Sequence, residues 1–257
     1  MTGPRLSVVV LHPHLSQPQG DVGNALALAH RARLHGVAAD VVVGGRPPAS
    51  GSTIYLLGGL STMDQAELAA LLRTDDEFLD AVAGGAPVLA VGSGYEVVVN
   101  EFVDVDGHVH PGVGLLDATA TRSSVLEGPV VTRPAVALGL PAMSGFESHT
   151  GRVHRGMSPC LAELELGAGN AADDQTDGTV SGHVVGTYLH GPVLVRNPEL
   201  ADLLLGWALG ADLHEPADAG AEQLRAQRIE EDRADPTGWA GRRYGRTGLG
   251  LRRRGPG

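Results

Sequence analysis

The sequence predicts an α/β fold, with a doubly wound, mostly parallel sheet and added antiparallel strands. Three observations carry this expectation. Strand-length apolar runs alternate with helix-period segments through the first hundred residues. The runs are near-continuous Val, Ile and Leu, as expected of strands covered by helices on both faces. From about Val103 the pattern changes to short β segments punctuated by Asp106-Gly107, Pro111-Gly112 and Glu127-Gly128-Pro129, the turn chemistry of hairpins.

The elements follow in order. Residues 6–11 form a first strand, and Asp21 stands as an N-cap before Val22, Ala25, Leu26 and Ala29 on one helical face. Residues 38–43 are a second strand, broken by Gly44-Gly45-Arg46-Pro47-Pro48. Residues 53–57 form a third, ending in Gly58-Gly59. Ala66, Leu68, Ala69 and Leu72 mark a helix, residues 78–83 another, and residues 87–91 the next strand. Residues 184–190 are again strand-like. Residues 198–209 form an amphipathic helix capped by Asn197 and closed by Gly210, and residues 221–232 a short charged one. This divides the chain into a main domain (1–215), a helical extension (216–235) and an Arg/Gly-rich tail (236–257) expected to be disordered by composition.

Composition narrows the function classes. A chain of 257 residues with 42% hydrophobic content supports a genuine core, but aromatics are only 4%, so packing rests on Val, Leu and Ala. A net charge of −11 argues against general binding to nucleic acid or membrane surfaces. All 19 basic residues are Arg, which excludes lysine Schiff-base chemistry. The lone Cys160 excludes an internal disulfide framework and a multi-thiolate metal site. The first apolar run is too short for a signal peptide or a membrane span, so a cytoplasmic protein is expected. Basic charge gathers in the tail, where solvated disorder is a plainer reading than contact with RNA or an acidic partner.

The most informative stretch is residues 87–94, Pro-Val-Leu-Ala-Val-Gly-Ser-Gly, a strand running into a sharp turn. A nucleophile elbow needs small residues two before and two after its reactive side chain, because the turn brings backbones close together. Ala90 and Gly94 satisfy that spacing around Gly92. Around Ser93 the corresponding neighbours are Val91 and Tyr95, and the spacing fails. The reactive position is therefore Gly92, which has no side chain. Ligands of open α/β sheets gather at strand carboxyl ends. There the sequence places Gly58-Gly59, the Gly92–Gly94 turn and Tyr188-Leu189-His190. A strand-end histidine opposite an elbow suits acyl transfer, with backbone N–H groups near Gly59 and the elbow available to an oxyanion. The residues alone describe a hydrolase or amidotransferase scaffold.

These motifs resemble the class-I glutamine amidotransferases of the cobyric acid synthase (CobB/CobQ) type. They are most similar to the amidotransferase subunits of lipid II isoglutaminyl synthases. The resemblance rests on Gly20-Asp-Val-Gly-Asn24, Leu57-Gly-Gly59 with Gln65, and residues 87–95. It continues through Gly112-Val-Gly-Leu-Leu-Asp117, Gly145-Phe-Glu-Ser-His-Thr-Gly-Arg152 and Gly186-Thr-Tyr-Leu-His-Gly-Pro192 with Arg196-Asn197. It spans residues 6 to about 210 in order and implies a flavodoxin-like fold. It further implies that a cysteine attacks the glutamine side-chain amide, that His190 stands at the base position, and that ammonia passes to a Mur-ligase-like, ATP-dependent partner.

The cysteine position falls on Gly92, the register that the small-residue spacing indicates independently. Other departures cluster nearby. Leu60 replaces a third glycine, Ser148 an Asn before His149, and Glu96 a Gln. The His-x-Glu pattern of other class-I members is absent, as it is from the resembled subunit. The expected pocket comprises Gly59, Leu60, Ser93, Gly94, Glu96, Ser148, His149 and Arg152, the last reading equally well as a surface ion pair. No cofactor and no metal are expected. The functional expectation is an amidotransferase-like subunit without glutaminase activity, acting as scaffold or activator. Alternatives are a non-catalytic module for glutamine or a related small molecule, and a Ser-dependent amidohydrolase using Ser93. A rescue by Cys160 is the least favoured. His12 and His14 are placed at the pocket mouth. His108-Val-His110 beside Asp104 and Asp106 has metal-ligand spacing, though surface imidazoles on a hairpin are the plainer reading.

Overall fold

The computed structural model describes residues 5–15, 21–44, 51–59, 65–171, 173–190, 192–213 and 219–236. Gly20, Leu60, Gly191 and the tail from residue 237 lie outside the described residues. The first sheet contains β1 (Arg5–Val10), β2 (Ala38–Val43), β3 (Ser52–Leu57), β4 (Val88–Val91), β11 (Thr179–Ser181) and β12 (Val184–Thr187). Its order is β11-β12-β4-β3-β1-β2, and every pairing is parallel except β11 with β12. The chain reverses direction across the sheet between β1 and β3, and β3, β4 and β12 are left side by side. Their carboxyl ends form one edge.

Period-2 side-chain alternation explains the continuous apolar runs. Val8, Val10, Leu89 and Val91 face one core with α1 (Asp21–Leu34) and α6 (Pro198–Leu209). Val9, Val88 and Ala90 face the other with α2 (Gln65–Arg73), α3 (Asp76–Ala83) and α4 (Ser93–Val98). Each fully buried Val or Leu contributes about 1.5–3 kcal/mol, so both faces hold the sheet. Asp75 caps α3 by accepting from the Phe78 N–H, and Gly210 closes α6 in the left-handed region.

The added antiparallel strands are present, and most of them form a second sheet. It contains β5 (Val99–Val103), β6 (Val109–Pro111), β7 (Leu116–Thr132), β8 (Ser144–Arg155), β9 (Ala162–Leu166) and β10 (Thr176–Asp177). β5 starts directly where α4 ends, so the chain leaves the parallel layer without a return loop. Phe102, Leu116, Ala118, Ala120 and Val153 then cover the α2–α4 side of the core.

Four local expectations are corrected. Asp21 is the first helical residue of α1 rather than the cap before it. Asn197 occupies the cap position of α6, but its side chain cross-links the Ser144 backbone and the Val193 carbonyl instead of capping. The late strand ends at Thr187, and His190 bridges to Phe146 as an isolated pair. The charged helix runs longer than expected, as α7 (Ala219–Ala234). It packs against β7, β8 and α5 (Val193–Arg196), with Ile229 buried and Arg233 bound to Glu165. No helix among the described residues is long and apolar enough to cross a membrane.

Candidate functional site

The β3–β4–β12 edge holds the elbow. Gly92 follows β4 at φ +62° and ψ −124°, a backbone region costly for any residue with a Cβ. Its N–H donates to the Thr187 carbonyl of the neighbouring strand end, and α4 begins at the next residue. Gly94 lies against β3: a Cβ there would stand 2.8 Å from the carbonyl oxygens of Leu57 and Gly58. The small-residue spacing read from the sequence is thus a real close approach.

His190 faces Gly92 directly. A Cβ at position 92 would lie 2.6 Å from His190 Nε2. The ring is fixed from behind, because Nδ1 lies 2.6 Å from the Tyr188 carbonyl oxygen and the backbone N–H donates to the Phe146 carbonyl. A carbonyl only accepts, so Nδ1 carries the proton and Nε2 presents its lone pair toward Gly92. Burial, together with His149, pulls the His190 pKa below its ordinary value, so the ring stays neutral at neutral pH.

Around this pair Gly59, Gly92, Ser93, Glu96, Arg122, Val125, Ser148, His149, Thr150 and His190 line a pocket of about 260 Å³. Its polar floor centres on Glu96, which is almost fully buried. Glu96 accepts from Gln65 Nε2 at 2.9 Å, Arg122 Nη2 at 3.2 Å and Tyr188 Oη at 3.2 Å. Arg122 also donates to Gln65 Oε1, to Thr150 Oγ1 at 2.7 Å and to the Val103 carbonyl at 3.0 Å. His149 stacks flat on Tyr188 with centroids 3.6 Å apart, its nitrogens facing the Gly151 carbonyl and Glu147.

Asp21 lies beside this edge with its carboxylate against Gly58. It is buried, and desolvation pushes its pKa up to about 7.

The pocket differs in part from the expected set. Gly59, Ser93, Glu96, Ser148 and His149 line it, whereas Gly94 is used in backbone packing. Arg152 is a correction: it is buried and its guanidinium donates to the carbonyls of Gly151 and Ser124, so it is neither a pocket residue nor a surface ion pair. His12 and His14 are also corrected. They meet edge-on, and His12 lines a separate cleft with Leu71, Thr74, Asp75, Asp76 and Glu77.

Sequence reasoning missed Arg122, Val125 and Thr150. They converge through a register break in the β7–β8 ribbon, where pairing jumps from Arg122↔Gly151 to Leu126↔His149. Such bulges re-aim side chains beside sites. The only sequence signal available was an Arg within an otherwise small, polar Thr-Arg-Ser-Ser run.

Residues 9–198 match the CobB/CobQ-like glutamine amidotransferase domain. The chain belongs to that family. Among its relatives, the lipid II isoglutaminyl synthase (glutamine-hydrolyzing) subunit GatD of Staphylococcus aureus is 30% identical over 225 residues, covering 84% of this chain and 90% of the relative. The Streptococcus pneumoniae GatD subunit is 27% identical over 244 residues, covering 90% and 91%. A probable cobyric acid synthase of Methanopyrus kandleri is 31% identical over 176 residues, but these are only 35% of that longer protein. The crystal structure of a glutamine amidotransferase shares the family fold, with a TM-score of 0.53 at 20% identity, covering 78% of this chain and 98% of its own. Within this amidotransferase family, the chain is thus GatD-like along most of its length.

Proposed function

We propose that this GatD-like chain is the amidotransferase-type subunit of an amide-forming ligase, kept as scaffold or activator after losing its glutaminase nucleophile. One observation carries the reading: a neutral His190 aims Nε2 at position 92, where glycine offers no atom to deprotonate. Covalent attack on a glutamine amide needs a side-chain nucleophile at that point. Removing such a group abolishes most of the rate, whatever binding groups survive. The rescues are disfavoured. Ser93 begins α4, one residue out of the elbow register. Cys160 is absent from the pocket lining, and burial pushes its thiol pKa up, away from the reactive thiolate.

The partner in this reading is a Mur-ligase-like, ATP-dependent subunit that activates a carboxylate and takes ammonia from solution. The GatD relatives, matched over nine-tenths of their length, support it. The buried Gln65–Glu96–Arg122 floor favours a second reading, a binding module for glutamine or a related polar molecule. Co-purification from the native host separates the two. The subunit reading expects a Mur-ligase-like protein at near-equal stoichiometry, with amidation driven by ammonium salts and not by glutamine. A lone monomer that binds glutamine would favour the module.

A further inference from the structure

We propose that the hairpin joining β5 and β6 is a divalent-cation site of the zinc type, with Asp104, His108 and His110 as ligands. It stands apart from the Gly92 pocket. His110 Nε2 lies 2.7 Å from Asp104 Oδ2, and His108 Nδ1 lies 3.5 Å from the same oxygen. One imidazole from β6 and one from the loop residue just before it therefore converge on a single carboxylate oxygen of the opposing arm. In a tetrahedral site with metal–ligand bonds near 2.0–2.1 Å, neighbouring donors stand about 3.3 Å apart. The two observed separations bracket that spacing.

The surroundings pre-arrange the donors. Asp104 Oδ1 accepts from the backbone N–H groups of Asp106 and His108, both at 2.9 Å, which orients the carboxylate and leaves Oδ2 to the imidazoles. This is the outer hydrogen bonding that ligating carboxylates ordinarily receive. The His110 ring is held by stacking on the buried Phe102, with centroids 5.4 Å apart and planes 26° from parallel. His108 is exposed and free to close on an ion. Donor atoms of Asp104, Asp106 and His108 all lie within 4.8 Å of one another, so Asp106 or water completes the shell. Imidazole with carboxylate donors suits Zn²⁺ and neighbouring transition ions over Mg²⁺, which prefers an all-oxygen shell.

The test is calorimetric titration of the untagged full chain with ZnCl₂. One equivalent should bind, and the His108→Ala/His110→Ala pair should weaken binding at least tenfold, while His12→Ala/His14→Ala leaves it unchanged. Histidine ring-proton NMR on the unmodified chain gives an answer that does not depend on the variants folding. The resonances of His108 and His110 should respond to the first equivalent, ahead of His12, His14 and His154. Binding that survives loss of both hairpin imidazoles, or first-equivalent shifts at other histidines, overturns the proposal.

Discussion

At the scale of single residues, the site is defined by what Gly92 and Asp21 do to their neighbours. Gly92 has the strained elbow backbone and no side chain, and His190 approaches so closely that a Cβ would have to displace the ring. Asp21 has a consequence for stability. Its pKa rises from 3.8 to about 7, so between these values the folded chain holds a proton that the unfolded chain has released. Stability therefore falls as pH rises through that window and levels off above it. The share of the fall between pH 5 and 8 is roughly 2–3 kcal/mol. Buried Asp177, raised to about 6, acts in the same direction. His190 acts oppositely: its pKa is depressed below 6.5, so the unfolded chain binds the proton first and stability rises with pH across that interval. Asp21→Asn removes one titration and keeps the shape. Urea unfolding at pH 5 and pH 8 should show the unmodified chain losing more stability than the variant by that amount. Identical pH profiles would contradict the assignment.

At the scale of elements, the β7–β8 ribbon builds the polar floor. Its register break swings Arg122 against Glu96, which arrives from α4. Cutting Arg122 back to Ala leaves a buried carboxylate without its cation, at a cost of about 2–3 kcal/mol, discounted from that of a fully dry pair. Adding Glu96→Gln should recover most of the loss, because the neutral amide leaves no unpaired charge: its oxygen can accept from Gln65 while its NH2 donates to the Tyr188 hydroxyl. A double-mutant cycle by urea unfolding would read the coupling, and additive effects would contradict a shared network. The same ribbon shows where sequence reasoning stops. The apolar runs of β1, β3 and β4 have one physical solution, so these strands and their helices were legible from residue type alone. The spacing of Ala90 and Gly94 located the elbow because close backbone approach restricts residue size. Arg122 was not legible, since its orientation depends on a bulge whose register emerges only from pairing with β8. Arg152 misled for the converse reason: from sequence its carbonyl partners, Gly151 and Ser124, are indistinguishable from solvent or ligand.

At the scale of the whole molecule, two sheets cooperate at one edge. The parallel sheet brings Gly59, Gly92 and His190 together at three adjacent strand ends, and the second sheet supplies Arg122, Ser148, His149 and Thr150 from the opposite side. The likeness to GatD subunits covers most of this framework, so the scaffold outlasts the nucleophile in the proposed reading. The most direct measurement is release of ammonia and glutamate from glutamine, by the untagged chain alone and with its co-purified partner. The account predicts no turnover above buffer in either case. Turnover within tenfold of the Staphylococcus aureus relative, under the same conditions, would contradict it.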